Sequence, residues 1–192
     1  MVPRLIREYR ALNPLVEFSL RNVLTADQGR MLEEGSLDLG FLRMPFAGSP
    51  GVGVVPIHQE PFVMVVPSSH PLARKSAVRL RETANETYVF YEGAHAPGFH
   101  DLVLGILNRA NVIPAVWQVA GEMATLISLI ASGTGISLLP MSAVKISTAA
   151  VVGCKILEKL PNSEIALAWR KKPVPAIVEQ FKKFALANAR MN

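Results

Sequence analysis

Apolar positions along this chain change period from one stretch to the next, and the changes mark its elements. Val2, Leu5, Ile6, Tyr9 and Leu12 recur at helical spacing, and Asn13-Pro14 stops that helix. Val16, Phe18 and Leu20 then alternate with Glu17, Ser19 and Arg21, the pattern of a half-buried strand. Thr25 with Gln28 three residues on has the spacing of a capping box, which predicts a helix from Thr25 to Gly35. Residues 37–42 read as a strand, 45–53 as a Gly/Pro loop, and 54–57 and 62–66 as two further strands, the second a crossover. A short helix is expected near 78–84, a strand at 88–91 and a loop at 92–97. Leu102, Val103, Ile106, Leu107 and Ala110 form one helical face. A strand at 116–119, a helix at 122–131 and a strand at 136–139 follow, then a short helix after Pro140. Strand fragments at 151–152 and 155–157 precede a firmer strand at 165–169. Pro175 opens a last helix with Ile177, Val178, Phe181, Phe184 and Ala185 on one face.

Two stretches organise this order. Glu34-Gly35-Ser36-Leu37-Asp38-Leu39-Gly40-Phe41 and Ala131-Ser132-Gly133-Thr134-Gly135-Ile136-Ser137-Leu138-Leu139-Pro140 each read as a helix end, a glycine stop and an apolar strand. Their recurrence predicts two similar α/β halves with a cleft of the kind in which open α/β sheets bind small ligands. The halves share a pattern and no sequence repeat.

Composition narrows the class. The 192 residues are 50% hydrophobic and 18% charged, which suits a folded domain and excludes a disordered chain. No apolar run approaches the roughly 20 residues that span a bilayer, and Arg4, Arg7 and Glu8 lie where a secretory signal would be apolar. The single cysteine, Cys154, excludes an internal disulfide and fits a reducing cytoplasm, the expected location. The net charge of +5 is dispersed, and its clusters, Arg170-Lys171-Lys172 and Lys182-Lys183, read as solvated faces. Ser128, Ser132 and Ser137 lack a nucleophile-elbow context, and Gly51-Val52-Gly53 lacks the third glycine and helix of a dinucleotide fingerprint. Neither a catalytic set nor a cofactor is expected.

The chain resembles the effector-binding domain of LysR-type transcriptional regulators. The matching words are Val2-Pro3-Arg4-Leu5-Ile6 with Tyr9 and Pro14, then Thr25, then Leu32-Glu33-Glu34-Gly35-Ser36-Leu37-Asp38-Leu39-Gly40-Phe41. Ser69-His70-Pro71-Leu72-Ala73 and Gly133-Thr134-Gly135-Ile136-Ser137-Leu138-Leu139-Pro140 complete them. The resemblance implies two Rossmann-like α/β subdomains of the periplasmic-binding-protein type II kind, joined by two crossover strands with an inducer in the cleft. Subdomain I would take about residues 1–59 and 159–192, and subdomain II about residues 60–158. It further implies a small-molecule inducer, a homodimer or homotetramer, DNA contact only through an N-terminal winged helix-turn-helix not in this sequence, and no membrane. The family domain opens with a strand before the helix that begins here at Met1. That strand is central to its sheet, so the chain is expected to be a fragment or to have the gap filled by another segment. Without the loop that follows this strand, a weakened hold on the inducer is expected.

The candidate ligand residues follow. Thr25 at a strand-to-helix junction joins a hydroxyl to the N–H groups and positive dipole end of a helix, which suits a carboxylate; the same geometry serves a plain N-cap. By resemblance a hydroxyl at this position holds the inducer's carboxylate. Arg43 follows a strand's C-terminal end and can pair with an acid or stand exposed. Gly98 and Phe99 open a helix that by resemblance faces the cleft, Phe99 packing on the ligand or serving as a core residue. His58 near the first crossover, and Glu122 with Met123 at a helix start, are further candidates. Glu92, His95, His100 and Asp101 have metal-ligand chemistry but match no zinc signature, so no metal is expected. Cys154, among Val151, Val152 and Ile156, reads as an inert buried thiol. The alternative readings are a transport-type solute-binding protein of the same fold and a metal-dependent enzyme using His95 and His100.

Overall fold

The computed structural model describes residues 1–114, 117–146 and 150–189. In chain order its elements are α1 (Val2–Leu12), α2 (Thr25–Glu34), β1 (Leu39–Arg43), β2 (Val52–Glu60), β3 (Phe62–Pro67), β4 (Ala77–Val78), β5 (Tyr88–Tyr91), α3 (Pro97–Arg109), β6 (Trp117–Ala120), α4 (Met123–Ala131), β7 (Ser137–Pro140), α5 (Met141–Ile146), β8 (Val151–Ile156), β9 (Ser163–Arg170) and α6 (Ala176–Asn188). Tight 3₁₀ turns occupy Pro71–Arg74 and Leu80–Thr83. The chain forms two compact units, Met1–Gln59 with Glu164–Asn192, and Glu60–Ser163. The second passage between the units falls between Ser163 and Glu164. The Glu158 carboxylate accepts the Leu80 N–H at 3.1 and 3.3 Å, and Leu160 packs on the core of the second unit, so that stretch is held there.

In the first unit the last strand lies between the first two, in the order β1-β9-β2. β9 runs antiparallel to β1, from Leu39 opposite Trp169 to Arg43 opposite Ile165. Its period of two sends Ala166 and Ala168 to one face and Leu167 to the other. The alanines pack with Leu32 of α2, Leu42 and Val52. Leu167 packs with Leu5 and Tyr9 of α1 and Phe181 and Ala185 of α6. One sheet is thus covered by α2 on one side and by α1 and α6 on the other.

Two expectations fail in this unit. Residues 16–20 form no strand: among the described residues no strand lies alongside to pair with them, and the stretch stays extended, with Val16 and Phe18 packed on the α1/α6 core and Leu20 exposed. The capping box at Thr25 does not form. The N-cap is Leu24, with no side-chain cap bond. Gln28 is buried, and its amide nitrogen donates to Val23 O at 3.1 Å and Phe41 O at 3.3 Å in place of reaching back along the helix. α2 ends at Gly35 with φ +80°, a left-handed conformation that favours glycine. The Ser36 and Leu37 N–H groups both donate to Met31 O to close the helix, which delays β1 to Leu39.

The second unit holds the sheet β4-β8-β3-β7 and the parallel pair β5/β6. β3 was expected as a crossover. It is a central strand, antiparallel to both β7 and β8, and all six of its residues are buried. The chain changes units just before it, at Glu60. Phe62, Met64 and Val66 face a core with Phe99, Val103, Ile106 and Leu107 of α3. Val63 and Val65 face a core with Leu126, Ile127 and Ile130 of α4 and Ala143 of α5. β8 is one strand through Cys154 where two fragments were expected, because its pairing with β3 runs on through Val152, Gly153 and Cys154. The helix expected near 78–84 is a short strand and a 3₁₀ turn. Residue 116 of the strand expected at 116–119 lies outside the described residues. Among the described residues no helix is long and apolar enough to cross a membrane.

Two glycines of this unit give opposite expectations. A Cβ on Gly135 would stand 2.5 Å from Thr87 O, the carbonyl that accepts the Ile136 N–H. Gly135→Ala is expected to cost about 1–3 kcal/mol through backbone displacement. Gly105 lies inside α3 with its nearest neighbour at 3.7 Å, so Gly105→Ala is expected to stabilise by up to about 1 kcal/mol. Urea denaturation of both variants reads the two signs.

Candidate functional site

In the first unit the helix α2 and the strand β1 run in opposite directions, and the Gln28–Phe41 bond sets the first turn of α2 beside the C-terminal end of β1. Thr25, half-buried, is the first residue of α2, and Arg43, half-buried, the last of β1, so both lie at this end. The N–H groups of Asp27 and Gln28 donate to Leu24 O. Those of Thr25 and Ala26 precede the first intrahelical bond, at the positive end of the helix dipole. His58 is half-buried on β2, on the other side of β9 from β1.

In the second unit β5 and β6 are parallel and in register, Tyr91 opposite Ala120, and the Glu92 N–H donates to Ala120 O at 3.0 Å. Both chains then turn into helices, so α3 and α4 start at the same end of the pair. His95 ties the two turns together: its Nδ1 lies 2.9 Å from Gly121 O. A carbonyl only accepts, so Nδ1 carries the proton in this bond. Nε2 lies 3.3 Å from Glu92 Oε2, and the ring stands edge-on to Tyr91 at 5.9 Å. His100 Nδ1 lies 3.1 Å from Tyr91 O.

Gly98 is half-buried in the first turn of α3, and Met123, half-buried, begins α4 against the core of that helix. Phe99 is only 3% exposed and stacks on Phe62 at 6.0 Å. The void beside it measures 10 Å³, about one water, and the stacking on Phe62 holds α3 to the core. Glu122 is exposed, and its carbonyl accepts the Leu126 N–H.

Among the described residues no three His, Cys, Asp or Glu side chains converge on one point. Burial shifts two groups of the second unit upward. The Tyr88 hydroxyl, paired with Thr83, is pushed up to about 12, and the Cys154 thiol, which donates to Leu72 O at 3.3 Å, is also raised. A raised thiol is a poor nucleophile. Two residues that organise the turns were not singled out for these roles in the sequence. His95 carries no local signal for its link to Gly121, and Gln28 was read as a partner of the helix cap.

Residues 1–190 match the family model described as the LysR substrate binding domain. The uncharacterized HTH-type transcriptional regulator YnfL of Escherichia coli K12 is 34% identical over 163 residues, which cover 85% of this chain and 54% of that protein. The HTH-type transcriptional regulator CatR of Pseudomonas putida is 31% identical over 180 residues, 94% of this chain and 61% of its own. The chain therefore spans little more than half the length of these relatives. The solved structure of the BenM effector binding domain with its effector benzoate superposes with a TM-score of 0.82 at 25% identity, covering 95% of this chain and 83% of that one.

The His95 tie has a measurable consequence. His95→Ala removes the bond to Gly121 O and is expected to cost about 1 kcal/mol in a urea melt. Amide exchange in residues 92–96 should quicken, while exchange in the core of α3 should not.

Proposed function

The chain belongs to the LysR substrate-binding-domain family, and on that premise we propose that it senses a small organic acid on behalf of a bacterial transcription factor acting in the cytoplasm. It is a binding domain of regulators and not an enzyme, as the names of its relatives indicate. The observation that carries the choice of an acid is the start of α2, where the Thr25 side chain makes no cap bond and the first N–H groups precede the first intrahelical bond, with Arg43 ending β1 at the same end of the first unit. A hydroxyl, a helix dipole and a guanidinium all favour negative charge. The benzoate of the BenM domain supports the same chemistry. Gly98 and Met123 contribute from the starts of α3 and α4, and His58 from β2, in the cleft that the family fold implies.

The signal is a population shift. An acid that binds a closed arrangement of the two halves better than an open one moves the equilibrium by its differential affinity and by no more. The output passes to a DNA-binding domain in the longer regulator, working as a homodimer or homotetramer.

Thermal unfolding with benzoate, muconate and related acids tests the reading. An acid at about 100 times its Kd stabilises by roughly 2.7 kcal/mol, a shift of several degrees for a domain of this size. The Thr25 side chain makes no cap bond, so Thr25→Val is expected to melt like the parent without ligand and to lose the shift with it. A cooperative melt that no acid moves counts against the ligand class.

A further inference from the structure

The second unit has three histidines, and their contacts ask for different numbers of protons. His70 Nδ1 accepts the Leu72 N–H at 3.2 Å, so it carries no proton. The single proton of a neutral ring then sits on Nε2, 3.4 Å from Glu86 Oε2. His100 donates from Nδ1 to Tyr91 O at 3.1 Å, which a neutral ring also satisfies. His95 is the reverse of His70. Its Nδ1 proton is already given to Gly121 O, and Nε2, the nitrogen that a neutral ring would leave bare, lies 3.3 Å from Glu92 Oε2. A bare ring nitrogen and a carboxylate oxygen are both acceptors and repel at that distance. A second proton, on Nε2, turns the contact into an ion pair.

The pair is packed against the neighbouring turn. A Cβ on Gly121 would stand 3.1 Å from His95 Cε1 and 3.3 Å from Glu92 Oε2. The Glu92 N–H donates to Ala120 O, so residues 92–95 hold residues 120–121 through main chain and ring together. The other titratable side chains on the elements that meet here are Tyr91 of β5, edge-on to the His95 ring, Glu122 before α4, and His100 and Asp101 of α3. Among the described residues only Glu92 makes an ion-pair contact with His95. We propose that His95 and Glu92 form a proton-operated clasp between the turns that start α3 and α4. It is closed while Nε2 carries a proton and loosens when that proton passes to water. A contact that needs a proton is made at low pH and lost as pH rises through the histidine range, about pH 5 to 8. The clasp rests on the functional reading above only for its use: Gly98 and Met123 begin the helices that these turns lead into, and their spacing becomes free to change as pH rises.

The test contains no effector, so its failure leaves the acid-sensing reading untouched, and the failure of every acid leaves the clasp untouched. Ring-nitrogen NMR spectra of the ¹⁵N-labelled chain are followed from about pH 5 to about pH 9, a range that brackets histidine titration. His95 is expected to carry protons on both nitrogens at the low end and to lose only the one on Nε2, keeping Nδ1 protonated on Gly121 O. The amides of Glu92 and His95, bonded to Ala120 O and Glu92 O, report the clasp. Their exchange protection, corrected for the intrinsic pH dependence of exchange, is expected to fall about fivefold in step with that proton. Val103 and Ile106 in the core of α3 serve as the reference. In Glu92→Gln an amide N–H can donate to the bare Nε2, so protection is expected to hold across the range. A His95 ring that keeps one protonation state throughout overturns the proposal, as does protection that does not follow the ring or that still falls in Glu92→Gln.

Discussion

The first unit depends on the insertion of β9 between β1 and β2. Ala166, Leu167 and Ala168 have no exposed surface, and each of the unit's two cores is built on one face of this strand. Yet β9 arrives only after the chain has left at Gln59, built the whole second unit and returned at Glu164. The entropy of closing so long a loop grows only logarithmically with its length, so stability tolerates the arrangement. The order of events is more constrained. The second unit is continuous in sequence and can assemble from its own contacts, while the first has no central strand until residues 163–170 dock. The covalent design makes one half of the domain contingent on the other.

Much of this plan was legible in the chain, and the failures share a cause. Gly35 and Gly133 both have positive φ, where helix stops are expected, and the strands after them follow as read. Helices with a clear apolar stripe, α1, α3 and α6, lie where their periodicity put them. What misled was pairing. Residues 62–66 form a continuous apolar run, which periodicity cannot assign to a crossover or to a strand buried on both faces; only the neighbours β7 and β8 decide. Residues 16–20 have faultless alternation and no ladder, because alternation specifies a face and not a partner.

The candidate site divides along the same line. Thr25 and Arg43 share one end of their unit because a helix followed by a short turn and a strand must bring the helix start beside the strand end, which a sequence can imply. The packing of Phe99 is not written in its own segment: stacking on Phe62 needs the fold to bring residues 62 and 99 together. The role of His95 is further from any local signal. Its partner, Gly121, is 26 residues away and is met only because β5 and β6 run parallel in register.

This division bears on selectivity in the proposed sensor. A helix start with a hydroxyl and a guanidinium attracts any small anion, so the first unit sets the class of ligand and discriminates poorly within it. In the second unit Phe99 is committed to the core. What remains at the starts of α3 and α4 is Gly98, a short approach to backbone, and Met123, a flexible apolar side chain. On the proposed reading neither recognises a particular functional group, and both would respond to shape. The turns that carry them are linked by the His95–Gly121 bond, which limits how far they can part to admit a bulkier acid. Acids that share a carboxylate should therefore differ in their effect according to the bulk and contour of the part remote from it.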